Sequence, residues 1–166
     1  MSDDEQSAGM DDGRQTEYAV EFVSGLVEAF GLTGSVASAT VDDHYDEVRV
    51  TGADLGMLIG PKAGSLDAIQ ELTRVVAQRR SGGRGESRLR VDIGGYRAKR
   101  KEALSRFVNQ VADEVVSSGT ARALEPMPSS DRKIIHDALT GRTDIETHSE
   151  GEDPYRRVVI TPVGSN

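Results

Sequence analysis

Leu58-Ile59-Gly60-Pro61-Lys62-Ala63-Gly64-Ser65 joins two apolar segments through a turn of small residues. Before it, Leu55 to Ile59 predicts a short apolar helix that stops at Gly60-Pro61. After it, Ser65 is a good N-cap for a second helix with Leu66, Ile69, Leu72 and Val76 on one face. Such a turn sets the N–H groups at the start of the second helix beside small residues, where nothing bulky blocks a phosphate, and Lys62 adds a positive charge. An ordinary helix connector has similar glycines, so the weight falls on what flanks the turn.

Toward the N-terminus, Phe22, Val23, Leu26, Val27 and Phe30 recur at helical spacing, with Gly31 as a stop. Val36 to Val41 and Glu47 to Thr51 alternate as strands around the polar turn Asp42-Asp43-His44-Tyr45-Asp46, which predicts an antiparallel pair. Residues 1–16 are polar and acidic, with little to bury, and read as a disordered tail. Toward the C-terminus, Ser81 to Gly85 is a loop and Arg88 to Ile93 a strand with Leu89, Val91 and Ile93 on one side. The first half therefore reads α-β-β-α-α-β. Gly94-Gly95 marks a boundary. A long helix follows with Leu104, Phe107, Val108, Val111 and Val115 as its buried stripe. Then come a short strand within Thr120 to Leu124, a helix over Asp131 to Leu139 capped by Ser129 or Ser130, and a strand pair ending with Arg156 to Thr161. The second half reads α-β-α-β-β.

The chain has 166 residues and 36% apolar content, which suits two small cores better than one deep one. It has no cysteine, which excludes disulfides, thiol catalysis and Cys-ligated zinc. No apolar run approaches the ~20 residues of a membrane span, and the acidic start is not a secretory signal, so a cytoplasmic location is expected. The net charge is −8, but it is unevenly spread. Residues 1–59 hold 2 basic and 13 acidic side chains, residues 60–110 hold 12 and 5, and residues 111–166 hold 6 and 10. A basic middle between acidic flanks offers a polyanion a local field. A solvated charged surface is the plainer alternative.

Two further groups could carry chemistry. Arg97, Lys99, Arg100 and Lys101 crowd the start of the long helix. That is the unfavourable end for cations, so a phosphate chain, or an acidic neighbour, is expected to favour them there. Arg132 and His136 stand four apart and share a helix face, with Lys133 beside them. A guanidinium can grip a phosphate, and an imidazole can donate to one or stack on a base. His44 lies among Asp42, Asp43 and Asp46, but a solvated turn outweighs a metal site. His148 reads as exposed in a polar loop. No nucleophile with a base partner, paired carboxylates or nucleotide fingerprint is present, so no catalytic residue, metal or cofactor is expected.

The helix–turn–helix with its arginine-edged strand resembles a KH domain. The chain over roughly residues 17–163 resembles the bacterial Jag family, in which a KH domain precedes an R-x-x-x-H domain. The resemblance rests on the turn at Gly60, the junction Asp92-Ile93-Gly94-Gly95-Tyr96-Arg97, the context Leu124-Glu125-Pro126-Met127-Pro128-Ser129-Ser130-Asp131-Arg132, and the ending Tyr155-Arg156-Arg157-Val158-Val159. In KH domains a Gly-x-x-Gly loop clamps about four single-stranded nucleotides. Gly60 takes the first glycine, Pro61 and Lys62 the variable pair, and Ala63 the second glycine, with Gly64 one place late. Pro61 also removes a backbone donor.

The resemblance implies an α+β protein of two small domains: a type II KH domain over 17–94 and an α/β R-x-x-x-H domain over 95–166. It implies a non-catalytic single-stranded RNA binder whose contacts are Gly60, Pro61, Lys62, Ala63, Gly64, Arg97, Arg100, Arg132, Lys133 and His136. With only 4% aromatic residues, backbone contacts and loose sequence preference are expected. Two weak sites on one chain would reinforce each other. The family association further implies post-transcriptional or chaperone-like control of cell elongation, division, cell shape and cell-wall synthesis. The alternative is a protein-interaction regulator whose KH fold dimerises, with a small KH-only protein as partner. Many members carry an additional N-terminal Jag domain, for which no counterpart is expected in this sequence. A nuclease has little support.

Overall fold

The computed structural model describes residues 3–42, 45–82 and 89–164, with side chains from Arg14 onward except at 40–42. The chain divides into two compact units, Met1–Tyr96 and Arg97–Asn166. The expected α+β order is found in both.

In the first unit, helix α1 (Asp3–Ala29) leads into strands β1 (Gly34–Asp42) and β2 (Tyr45–Gly52). These form the expected antiparallel pair, with Val36 opposite Val50. His44 and its neighbour Asp43 lie outside the described residues, as does Arg88. The chain continues through α2 (Gly56–Ile59), a 3₁₀ turn (Pro61–Ala63) and α3 (Gly64–Arg80) to β3 (Leu89–Ile93). Strand β3 lies parallel to β2, giving the order β1-β2-β3. Alternation puts Val48, Val50, Leu89, Val91 and Ile93 against the helices, where they are buried with Val23, Val27, Leu58 and Leu66. Gln70 of α3 also closes the outer side of β3. Its Nε2 donates to the Leu89 carbonyl at 2.8 Å, and its Oε1 accepts from the Val91 N–H at 2.7 Å.

Several expectations change in this unit. Helix α1 runs from Asp3, through residues whose composition reads as a disordered tail. Gln15, Ala19, Val23 and Val27 form its buried line at four-residue spacing, and Phe30 is exposed. Low apolar content limits what a segment can bury; it does not prevent a packed helix from propagating backward. The buried face of α3 is Leu66, Ile69, Thr73 and Ala77, whereas Leu72 is 53% exposed. Leu72 and Val76 sit one position, or about 100°, away from the line that packs. Ser65 lies inside the helix and does not cap it; Ala63 holds the cap position without a side-chain bond.

In the second unit, α4 (Tyr96–Ser118) begins at the boundary. Leu104, Val108, Val111 and Val115 are buried along it, but Phe107 is exposed. Gly119, at φ 66°, ends the helix, its N–H bonded to the Val115 carbonyl at 2.9 Å. Strand β4 (Arg122–Ala123), helix α5 (Ser129–Leu139), and strands β5 (Ile145–Glu150) and β6 (Arg157–Pro162) follow, with an antiparallel sheet ordered β4-β6-β5. The buried Val158 and Ile160 of the central strand meet Leu104, Val108, Ile135 and Leu139 in one core. Neither Ser129 nor Ser130 caps α5. The extended Pro128 stands there, and its carbonyl accepts from the N–H groups of Asp131 and Arg132. His148 is exposed as expected, but lies on β5 and not in a loop.

Candidate nucleic-acid interface

The Gly60 turn is sharply shaped. Gly60 has φ 71° and ψ 174°, and Lys62 and Ala63 are both left-handed, at φ 53° and 61°. A Cβ at Gly60 would strike the Ser65 Oγ, and would lie 2.9 Å from the Ser65 Cβ and 3.0 Å from its backbone nitrogen. Glycine is therefore required at Gly60. Gly64 differs. It is an ordinary right-handed residue at the start of α3, and a Cβ there would meet nothing within 4 Å. Conformation thus matches the four-residue span Gly60–Ala63, with Ala63 in a geometry that favours glycine. Pro61 and Lys62 are exposed, Ala63 is half-buried, and Lys62 enters no ion pair among the described residues.

At the junction, Gly94 and Gly95 both have positive φ, and the Gly95 N–H donates to Asp92 Oδ2 at 2.9 Å. On the second unit, Arg97 is half-buried near the start of α4 and Lys99 and Lys101 are exposed. Arg100 has an acidic neighbour: its Nη2 and Nε donate to Asp131 Oδ2 at 2.8 and 3.2 Å. The carboxylate of α5 therefore offsets the unfavourable placement of this cation, an outcome that the sequence allowed beside a phosphate.

Arg132 and His136 do share a face of α5, but both are engaged internally. Arg132 is only 7% exposed. Its Nη1 donates to the Met127 carbonyl at 2.7 Å and to Asp153 Oδ1 at 2.8 Å, and its Nη2 reaches Asp153 Oδ2 at 3.4 Å. The guanidinium holds the Asp153 carboxyl below the usual range. His136 bonds through Nδ1 to Thr147 Oγ1 at 2.7 Å and through Nε2 to Ser149 Oγ at 3.0 Å. Burial lowers its pKa, the charges of His148 and Arg132 lower it further, and Asp137 opposes them. Lys133, between the two, is exposed and paired with Asp137 at 2.7 Å. Exposed pairs of this kind contribute little and exchange readily with other anions.

Sequence reasoning missed Asp131, Thr147, Ser149 and Asp153. The one available signal was the alternation of Thr147 and Ser149, which puts two hydroxyls on one face of a strand. Among the described residues no group of three acidic or histidine side chains could hold a metal, and no helix is long and apolar enough to cross a membrane.

Two small α+β units, one with a glycine turn between helices and one with an Arg–His helix over a three-stranded sheet, define the class. Residues 102–162 match the R-x-x-x-H domain family. The chain is 40% identical to RNA-binding protein KhpB of Bacillus subtilis (strain 168) over 129 residues, 75% of this chain and 61% of that protein. It is 31% identical to RNA-binding protein KhpB of Clostridium symbiosum over 146 residues, 87% of this chain and 65% of that protein. Against the protein of the same name from Lactiplantibacillus plantarum it is 30% identical over 140 residues, 84% of this chain and 42% of that protein. The chain belongs to the Jag family of KhpB proteins, and spans less than two thirds of the length of each of these relatives.

Proposed function

We propose that the chain binds single-stranded RNA without catalysing a reaction, and that the Gly60–Gly64 turn is the principal contact. The observation that carries this reading is the backbone of Lys62 and Ala63. Two residues with side chains are held left-handed, and one of them is an exposed lysine. Such strain costs on the order of 1–3 kcal/mol per residue and clusters at ligand clamps. The match to the R-x-x-x-H domain family and the names of the relatives support the same reading. Arg97, Lys133 and the exposed side of α5 supply a second contact. Arg100, Arg132 and His136 serve that contact by positioning α5, since their polar groups are bonded within the unit.

Finer readings rest on family membership: a cytoplasmic post-transcriptional regulator acting in cell elongation, division and envelope synthesis. The second reading, a protein-interaction regulator paired with a small KH-only protein, is favoured by Met57 and Leu72, which expose apolar side chains on α2 and α3. The deciding experiment is a salt titration of single-stranded RNA affinity for the chain and for Lys62→Glu. Phosphate contacts make affinity fall with salt, and losing one should reduce the logarithmic slope by about 0.7. A salt-independent affinity, or an unchanged slope in the variant, would favour the protein-interaction reading.

A further inference from the structure

The two ends of the first sheet are treated differently. Gln70 occupies the outer side of β3, whereas among the described residues β1 pairs with β2 alone. An edge strand presents unpaired N–H and C=O groups, and folds usually blunt a long edge with charge, proline or a bulge. Strand β1 is nine residues long, and Gly34-Ser35-Val36-Ala37-Ser38-Ala39-Thr40-Val41 contains neither charge nor proline. Its register breaks only at the far end, between Thr40 and Asp42.

A cavity of about 520 Å³ opens along this edge, lined by Thr16, Glu17, Val20 and Glu21 of α1, Ser38 of β1 and Asp46 of β2. Val20 gives it an apolar wall, and three carboxylates give it charge. Thr16 Oγ1 donates to Asp46 Oδ2 at 2.6 Å. Arg80 answers Glu21 at 2.9 Å, which leaves the lining negative.

We propose that β1 accepts an extended segment of a partner protein as an added strand, with lysine or arginine at alternate positions. Side chains of an added strand alternate between faces, so one alternate set would enter the cavity. Backbone bonds would supply affinity and the carboxylates specificity. A second copy of β1 fits poorly: residues 34–41 carry no cation and Asp42 brings another carboxylate.

The test uses the full chain freed of RNA, with two capped octapeptides as probes, one alternating lysine and valine, the other glutamate and valine. Amide NMR shifts and hydrogen exchange are followed at low salt. The lysine peptide is expected to shift and protect amides of Ser35 to Ala39, and to bind at least about tenfold more tightly than the glutamate peptide. Glu17→Lys should weaken it about tenfold with melting unchanged, since the carboxylate is exposed. The proposal is overturned by absence of binding at millimolar peptide, by shifts confined to other residues, by equal affinity for both peptides, or by indifference to Glu17→Lys. A doubling of mass that protects the same amides without peptide would overturn it too, by making a second copy the occupant.

Discussion

Lys62 and Arg132 are both cations beside the start of a helix, yet their surroundings are opposite. Lys62 stands in solvent on a left-handed backbone and enters no ion pair among the described residues. Arg132 is buried and already donates to Met127 and Asp153. In the first unit, the backbone is strained around a cation that faces water; in the second, the polar groups of the signature residues are satisfied. A motif says which residue types stand together. Whether they face a ligand or hold the fold depends on partners far away in sequence.

Four substitutions or conditions would break or sharpen this contrast. The largest effect on stability is expected from Gly60→Ala, about 2–4 kcal/mol, because the new Cβ meets Ser65 in a backbone region reserved for glycine. Chemical denaturation measures it, and a loss below about 0.5 kcal/mol would mean that the turn relaxes easily. Arg132→Ala comes next, at about 2–3 kcal/mol, less than a fully buried pair because Asp153 keeps its solvent. Melting and RNA affinity should be measured on one preparation. If the stability holds while affinity drops tenfold, Arg132 faces RNA and the contrast collapses. A smaller effect depends on pH. The folded pKa of His136 lies below its ordinary 6.5, so its contribution is complete above that pH and is lost as pH falls toward the folded value. Melting temperature should decline across that interval, and His136→Gln should flatten the decline; equal slopes in both proteins would count against the burial argument. Smallest is Gly64→Ala. In an open right-handed position it should stabilise by about 0.4–1 kcal/mol and leave RNA affinity unchanged. A fall in affinity would shift the clamp one residue along.

The order of elements was legible because each apolar period is long enough to recognise, and because Gly31, Gly60, Gly94 and Gly119 punctuate it. Finer placement failed where packing outweighs hydropathy. Thr73 is buried and Leu72 is not because the helix face is set by its neighbours, and Thr73 can return its hydroxyl to the Ile69 carbonyl at 2.7 Å. Phe107 fits the periodic stripe of α4 but is left outside, while Ala112 is buried. At the candidate site, the pair Arg132 and His136 was readable, but its use was not. Asp153 is 21 residues away and Thr147 11, and ordinary hydroxyls and turn aspartates give no signal until the strand register brings them under α5. The left-handed backbone at Ala63 was equally hidden, since alanine is the last residue to advertise it.

The Gln70 amide has a consequence for growth. With one donor and one acceptor it imitates a peptide unit, so the sheet ends there as if another strand were present. Head-to-tail stacking of sheets from successive molecules needs two open rims, and this sheet has one. Any association through it therefore closes after a single addition instead of running on into a filament. Gln70→Ala would remove that terminator and give the molecule the second rim that open-ended polymerisation requires.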